Sequence, residues 1–282
     1  MQNLSDFKKQ KDCLVCVDSD GCAMDTMDIK HYECFGPCMI KEWALSEWRE
    51  AILNRWNEIN LYSMTRGINR FKGLALALSE IHLQYCSVDG IEDFVYWSEN
   101  SNELSNDALK REIEDNPEKT IFKKALSWSE AVNRAITTLP DDKKLPFPLV
   151  GDGLAYAHKR ADVVVVSSAN ADAVLEEWEQ HGLLEHTDLV LAQNAGSKAF
   201  CIGELLKKGY DKDKVVMCGD APGDLQAAQK NGVFFYPILV RHEKESWQEF
   251  IGRGFDKLVN GTYGGDYSAS KINEFVDNLG GK

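Results

Sequence analysis

Apolar positions along this chain follow two rhythms. From about residue 161 onward they gather in short unbroken runs: Val163-Val164-Val165-Val166, Leu189-Val190-Leu191, Val215-Val216-Met217-Cys218 and Val233-Phe234-Phe235-Tyr236. Runs this short and this rich in β-branched residues predict strands covered on both faces. Helical spacing fills the intervals. Asn170 stands as an N-cap before Val174, Leu175 and Trp178, Lys198 to Leu206 reads as a helix closed by Gly209, and Leu225 to Asn231 as a short helix stopped by Gly232. Strand and helix alternate, which predicts an α/β fold with a doubly wound parallel sheet. Leu14-Val15-Cys16-Val17, near the start, is a further run of the strand type.

Between Asp25 and about Lys144 the rhythm becomes helical. Trp48, Ile52, Trp56 and Ile59 recur at helical spacing, and Leu74 to Leu83 and Ile121 to Ile136 read as two more helices. Ser98 to Glu103, with Asn106-Asp107, reads as loop or helix-capping material, while Leu139-Pro140-Asp141-Asp142 and Pro146-Phe147-Pro148 mark a return hinge. The expected organisation is an α/β core of residues 1–23 and 146–282 with an inserted, mainly helical domain of residues 24–145. Trp43, Trp48 and Trp56 are expected in the core of that insertion, and His31 is expected to be structural.

Composition narrows the function classes. Of 282 residues, 44% are hydrophobic and 27% charged, the balance of a globular protein long enough for two domains. A formal net charge of −13 with no basic block argues against a nucleic-acid surface. No stretch is apolar enough for a membrane span, and the first residues, Met1 to Asp6, lack the apolar core of a secretory signal, so a cytoplasmic protein is expected. The eight scattered cysteines suit reduced thiols. Nothing in the pattern specifies an oligomeric state.

The first apolar run delivers Asp18 and Asp20 to a turn at Gly21. Alternation at i and i+2 places the two carboxylates on one side, where their repulsion invites a cation or a retained proton. The carboxyl edge of a parallel sheet is where ligands bind. Three further polar features fall at that edge: Ser167 after the valine run, Lys198 opening a helix after the next strand, and Gly219-Asp220-Ala221-Pro222-Gly223-Asp224 after the one that follows. A calcium loop is excluded, because Gly21 comes two places early and Ile29 stands where the closing glutamate belongs. Cys13 and Cys16, three apart on a strand, point to opposite faces and have no second pair.

In order and spacing, Asp18-Ser19-Asp20-Gly21-Cys22, Ser167, Lys198 and Gly219-Asp220 through Asp224 resemble the motifs of the haloacid dehalogenase superfamily of phosphohydrolases, over the whole α/β body. The resemblance implies a Rossmann-like core with a type 1 helical cap. It implies Asp18 as nucleophile, Asp20 as general acid and base, Ser167 and Lys198 on the phosphate, and Mg²⁺ held by Asp18, the Asp20 carbonyl and Asp220. Asp224 belongs to the same metal group, orienting Asp220, Lys198 or a metal-bound water. An aspartate at position 20 marks phosphatases and phosphomutases in that superfamily. The turn amides of Gly21 and Cys22 are expected to donate to the phosphoryl oxygens. Ser19 and Cys22 depart from the usual residues, and a thiol so close to the nucleophile predicts sensitivity to oxidation. Arg66 and Arg70, in the most basic segment of the insertion, are expected to touch substrate. The implied activity is Mg²⁺-dependent hydrolysis of a small phosphorylated metabolite through an aspartyl-phosphate. Alternatives are a phosphomutase of the β-phosphoglucomutase type and a noncatalytic sensor of a phosphorylated ligand.

Overall fold

The computed structural model describes residues 3–280; Met1 and Gln2 of the N-terminal stretch, and the last two residues of the C-terminal segment, lie outside them. The chain divides into two compact units, Met1–Met27 with Asp141–Lys282, and Asp28–Pro140. Among the described residues, no helix is long and apolar enough to cross a membrane.

Among the described residues, the first unit is built on five parallel strands: β1 (Cys13–Val17), β2 (Ala161–Val166), β3 (Leu189–Leu191), β4 (Val215–Gly219) and β5 (Phe234–Pro237). Their spatial order is β3-β2-β1-β4-β5. Every residue of β1, β2 and β4 is buried, the consequence of helices covering both faces and the reason their sequences run apolar without alternation. Strand order reverses between β1 and β4, and such a switch point opens a crevice at the carboxyl edge. Register brings the two strand ends level: Val17 pairs with Cys218, and the Asp18 amide donates to the Cys218 carbonyl at 3.0 Å.

Two passages of the chain meet beside this edge. The Phe147 amide donates to the Ala23 carbonyl at 2.9 Å and the Asp25 amide to the Leu145 carbonyl at 2.8 Å. The segment after Pro148 is no simple hinge, because Val150–His158 is a helix that buries Val150, Leu154 and Ala157. Its two glycines, Gly151 and Gly153, weaken the local helical signal. The C-terminal segment packs on the same unit, with Trp247, Phe250, Phe255 and Tyr263 all buried.

The Asp28–Pro140 unit is helical throughout its main elements: Gly36–Glu42, Arg49–Leu61, Arg70–Gln84, Ile91–Asn100, Asn106–Asp115 and Thr120–Thr137. Trp56, Phe71, Phe94, Phe122 and Trp128 are buried at its centre, and Trp43 and Trp48 pack against that cluster. The polar stretch from Ser98 is split between two elements, the end of Ile91–Asn100 and the cap of Asn106–Asp115, where Ser105 Oγ accepts from the Ala108 amide. His31 is structural as expected: its Nδ1 accepts from Trp56 Nε1 at 3.1 Å and its ring stacks on Phe35.

Candidate active site

Asp18 follows β1 directly, Asp220 follows β4, and Lys198 opens the Lys198–Leu206 helix beyond β3. The fold brings them together with Asp224. Lys198 Nζ lies 2.5 Å from Asp18 Oδ2 and 2.6 Å from Asp224 Oδ1, and Asp18, Asp220 and Asp224 each offer a carboxylate oxygen within 4.8 Å of the others. All three acids are buried, Asp220 and Asp224 fully.

Asp224 owes its place to two local features. Its Oδ2 accepts from the Ala221 amide at 3.1 Å, which caps the Pro222–Asn231 helix and turns Oδ1 toward Lys198. Gly219 leaves the space for it, since a Cβ there would stand 2.3 Å from Asp224 Cγ. Gly219→Ala is therefore expected to destabilise the protein by about 1–3 kcal/mol. By displacing Asp224 and with it Lys198, it is also expected to cut turnover by about 10²-fold, checked by urea unfolding and steady-state rates.

Two carboxylates, those of Asp18 and Asp224, meet one ammonium, with the carboxylate of Asp220 close to both. Burial, opposed by Lys198 and reinforced by the Asp224 carboxylate, raises Asp18 to about 6. Asp224 is likewise raised by burial, against Lys198. Burial alone would lower Lys198, but the two carboxylates beside it outweigh burial and hold it above the usual lysine value. Lys198 is thus a fixed cation across the neutral range.

Asp20 is half-buried, and its Oδ1 accepts from the hydroxyl of Thr26 at 2.5 Å. Thr26, fully buried, fixes one carboxylate oxygen of Asp20. It did not stand out in the sequence, where a threonine after a turn carries no signal of its own. Ser167 is buried just past β2, its Oγ accepting from the Ala169 amide at 3.2 Å, which leaves the hydroxyl proton able to donate.

The turn departs from expectation at Gly21 and Cys22. Their amides are not open to a phosphoryl group, because the turn closes on itself with them: Gly21 donates to the Met24 carbonyl at 2.8 Å and Cys22 to the Ser19 carbonyl at 3.3 Å. Gly21 adopts a φ of 82°, which explains the glycine. The Cys22 thiol faces the core, 3.4 Å from the Cys218 carbonyl, and burial with the nearby carboxylates of Asp220 and Asp18 pushes it well above the ordinary thiol value. The expected oxidation sensitivity is corrected accordingly, since a buried protonated thiol is unreactive. Iodoacetamide at about pH 8 is expected to label the half-buried Cys38 and Cys86 at least about tenfold faster than Cys16, Cys22 or Cys218, read by peptide mass spectrometry.

Arg66 and Arg70 make internal ties within the helical unit. Arg66 is buried, with Nη1 donating to the Leu61 carbonyl at 2.8 Å and lying 3.9 Å from Asp28 Oδ1. Arg70 Nη1 donates to Ser129 Oγ at 3.0 Å and Asn133 Oδ1 at 2.7 Å, and its guanidinium lies over the Phe35 ring. An arginine in a basic stretch looks the same in sequence whether it faces a ligand or a helix-end carbonyl.

A family model of haloacid dehalogenase-like hydrolases matches residues 91–238. The chain belongs to that family of hydrolases. Among solved structures, a haloacid dehalogenase-like family hydrolase from Streptococcus pneumoniae is similar in fold at 12% identity, covering 84% of this chain and 90% of that one, with a TM-score of 0.50. A haloacid dehalogenase-like family hydrolase from Xanthomonas campestris is 13% identical over 86% of this chain and 94% of its own, with a TM-score of 0.45. A sequence search of curated proteins finds no match.

Proposed function

We propose that this protein is a cytoplasmic, Mg²⁺-dependent phosphatase acting on a small phosphorylated metabolite through an aspartyl-phosphate. The observation that supports this reading best is the buried Lys198 ammonium held between Asp18 and Asp224 beside Asp220. A site that only bound an anion would gain nothing from converging carboxylates. One that must keep a carboxylate ionised as a nucleophile beside an incoming phosphate does.

The donor set fits a hard cation, because three buried carboxylates supply oxygen and, among the described residues, no histidine or cysteine belongs to the group. Asp18, the Asp20 carbonyl and Asp220 would hold Mg²⁺, with Asp224 orienting Asp220, Lys198 or a water of the ion. When bound, the ion supplies charge neutralisation of the phosphoryl oxygens. In the first step an Asp18 oxygen forms a bond to phosphorus as the bond to the ester oxygen breaks, and Asp20 gives that departing oxygen its proton. In the second, water attacks the phosphorus and gives a proton to Asp20, and the Asp18–phosphorus bond breaks to release phosphate. A positioned acid and base of this kind contributes about 10²–10⁴-fold. Thr26 holds Asp20 for this task, while Lys198 and Ser167 donate to the phosphoryl oxygens. The Asp28–Pro140 unit would serve as the lid that excludes water from the acyl phosphate. The eight cysteines, all free thiols, support the reducing compartment.

The test is a panel of phosphomonoesters with Mg²⁺, read as phosphate release. Metal-dependent turnover abolished by chelation is expected. Tight binding without turnover would instead favour a sensor, and bisphosphate-primed sugar isomerisation outrunning phosphate release would favour a mutase.

A further inference from the structure

Two indole groups grip the turn that carries Asp18 and Asp20. Trp178 Nε1 donates to Ser19 Oγ at 2.9 Å, and Trp247 Nε1 donates to the Cys22 backbone carbonyl at 3.0 Å, from 225 positions away in sequence. Both tryptophans are fully buried. Core packing alone does not account for these bonds, because phenylalanine would fill much of the same space without a donor. The turn has a use for them. Its Ser19 carbonyl already accepts from the amides of Cys22, Ala23 and Met24, so the turn is closed internally, and the indoles anchor its two ends to the rest of the unit. The Val150–His158 helix is shaped to receive one of them: a Cβ on Gly153 would stand 2.6 Å from Trp247 Cε3. Trp247 also lies beyond residue 238, where the family-model match ends.

We propose that Trp247 and Trp178 are positioning residues, whose N–H groups fix the Ser19–Cys22 turn and through it the aim of the Asp18 and Asp20 carboxylates. The catalytic part of this inference rests on the reading of Asp18 and Asp20 as the reacting pair; the fixing of the turn does not. Losing the Trp247 donor leaves the Cys22 carbonyl without its indole bond in a dry interior, so the turn shifts to find another partner. Reacting groups tolerate little of this, since a misplacement of about 1 Å costs about 10²-fold in rate. The C-terminal helices thereby become part of the machinery that sets the nucleophile.

The experiment compares Trp247→Phe and Trp178→Phe with the wild-type chain by amide hydrogen exchange over residues 18–24 and by steady-state kinetics on p-nitrophenyl phosphate with Mg²⁺. Faster exchange confined to residues 18–24 is expected, with kcat lowered about tenfold or more and KM held within about twofold. Gly153→Ala keeps the indole but displaces it, so it is expected to reproduce both effects and carries the test if Trp247→Phe does not fold. Unchanged exchange at residues 18–24 in a folded variant overturns the proposal. So does exchange that rises evenly across the sheet, or a KM change as large as that in kcat. If the wild-type protein hydrolyses neither this ester nor any other phosphomonoester of the panel, the phosphatase reading fails by itself, and the exchange measurement still decides whether the indoles hold the turn.

Discussion

Asp18→Asn is expected to lower turnover by on the order of 10⁴-fold or more while leaving the protein folded. Asparagine keeps the shape of the side chain but has no anionic oxygen to attack phosphorus. Stability is expected to move the other way. Burial raises Asp18 from 3.8 to about 6, so the folded protein holds this proton more tightly than the unfolded chain. A group shifted in that direction contributes stability below its unfolded value and loses it as the pH rises through the folded one. At about pH 8, with no cation bound, the wild-type protein therefore carries the cost of an ionised, buried Asp18, and the asparagine variant does not. Urea unfolding at about pH 8 in the presence of a chelator is expected to find Asp18→Asn at least as stable as the wild type, with the difference shrinking toward about pH 4. Added Mg²⁺ is expected to stabilise the wild type more than the variant, because a ligand is lost. Retained turnover would remove the nucleophile assignment.

Lys198→Met is expected to show the largest loss of stability, about 3–5 kcal/mol at about pH 8. Methionine matches the length and apolar stem of lysine but leaves Asp18 and Asp224 buried without the ammonium that touches both. Both carboxyls are already raised by burial, and removing the cation raises them further. They then take up protons as the pH falls, so the deficit relative to the wild type is expected to shrink between about pH 8 and about pH 5. Combining Lys198→Met with Asp18→Asn is expected to recover part of the loss, since one of the two stranded charges goes with the second change. A deficit below about 1 kcal/mol at both pH values, in urea titrations, would show that Lys198 does not hold the cluster together. Turnover is expected to fall in Lys198→Met whatever the stability, because the same ammonium keeps Asp18 ionised.

Much of the α/β body was legible in advance. Strands covered on both faces write continuous apolar runs, and Leu14 to Val17, Val163 to Val166 and Val215 to Cys218 stand where β1, β2 and β4 form. Acids and a lysine at the ends of such runs are conspicuous because nothing in a buried strand calls for them, so Asp18, Lys198, Asp220 and Asp224 could be picked out before any contact was known. Elements with weak local signals were harder. Asn106–Asp115 buries only Ala108 and Leu109, so few apolar positions mark it, and Val150–His158 carries two glycines, of which Gly153 leaves room for the Trp247 indole.

Partnership was the part left to the folded chain. Whether Arg66 meets a ligand or the Leu61 carbonyl, whether the Gly21 and Cys22 amides stay open or close a turn, and that Thr26 holds Asp20, all depend on distances that residue type does not encode. The bond from Trp247 to Cys22 spans most of the chain and exists because strand register and helix packing bring both ends to the same sheet edge. Periodicity and composition are local quantities that report which face a residue buries. Which atom it meets there is set by the packing of all the elements at once.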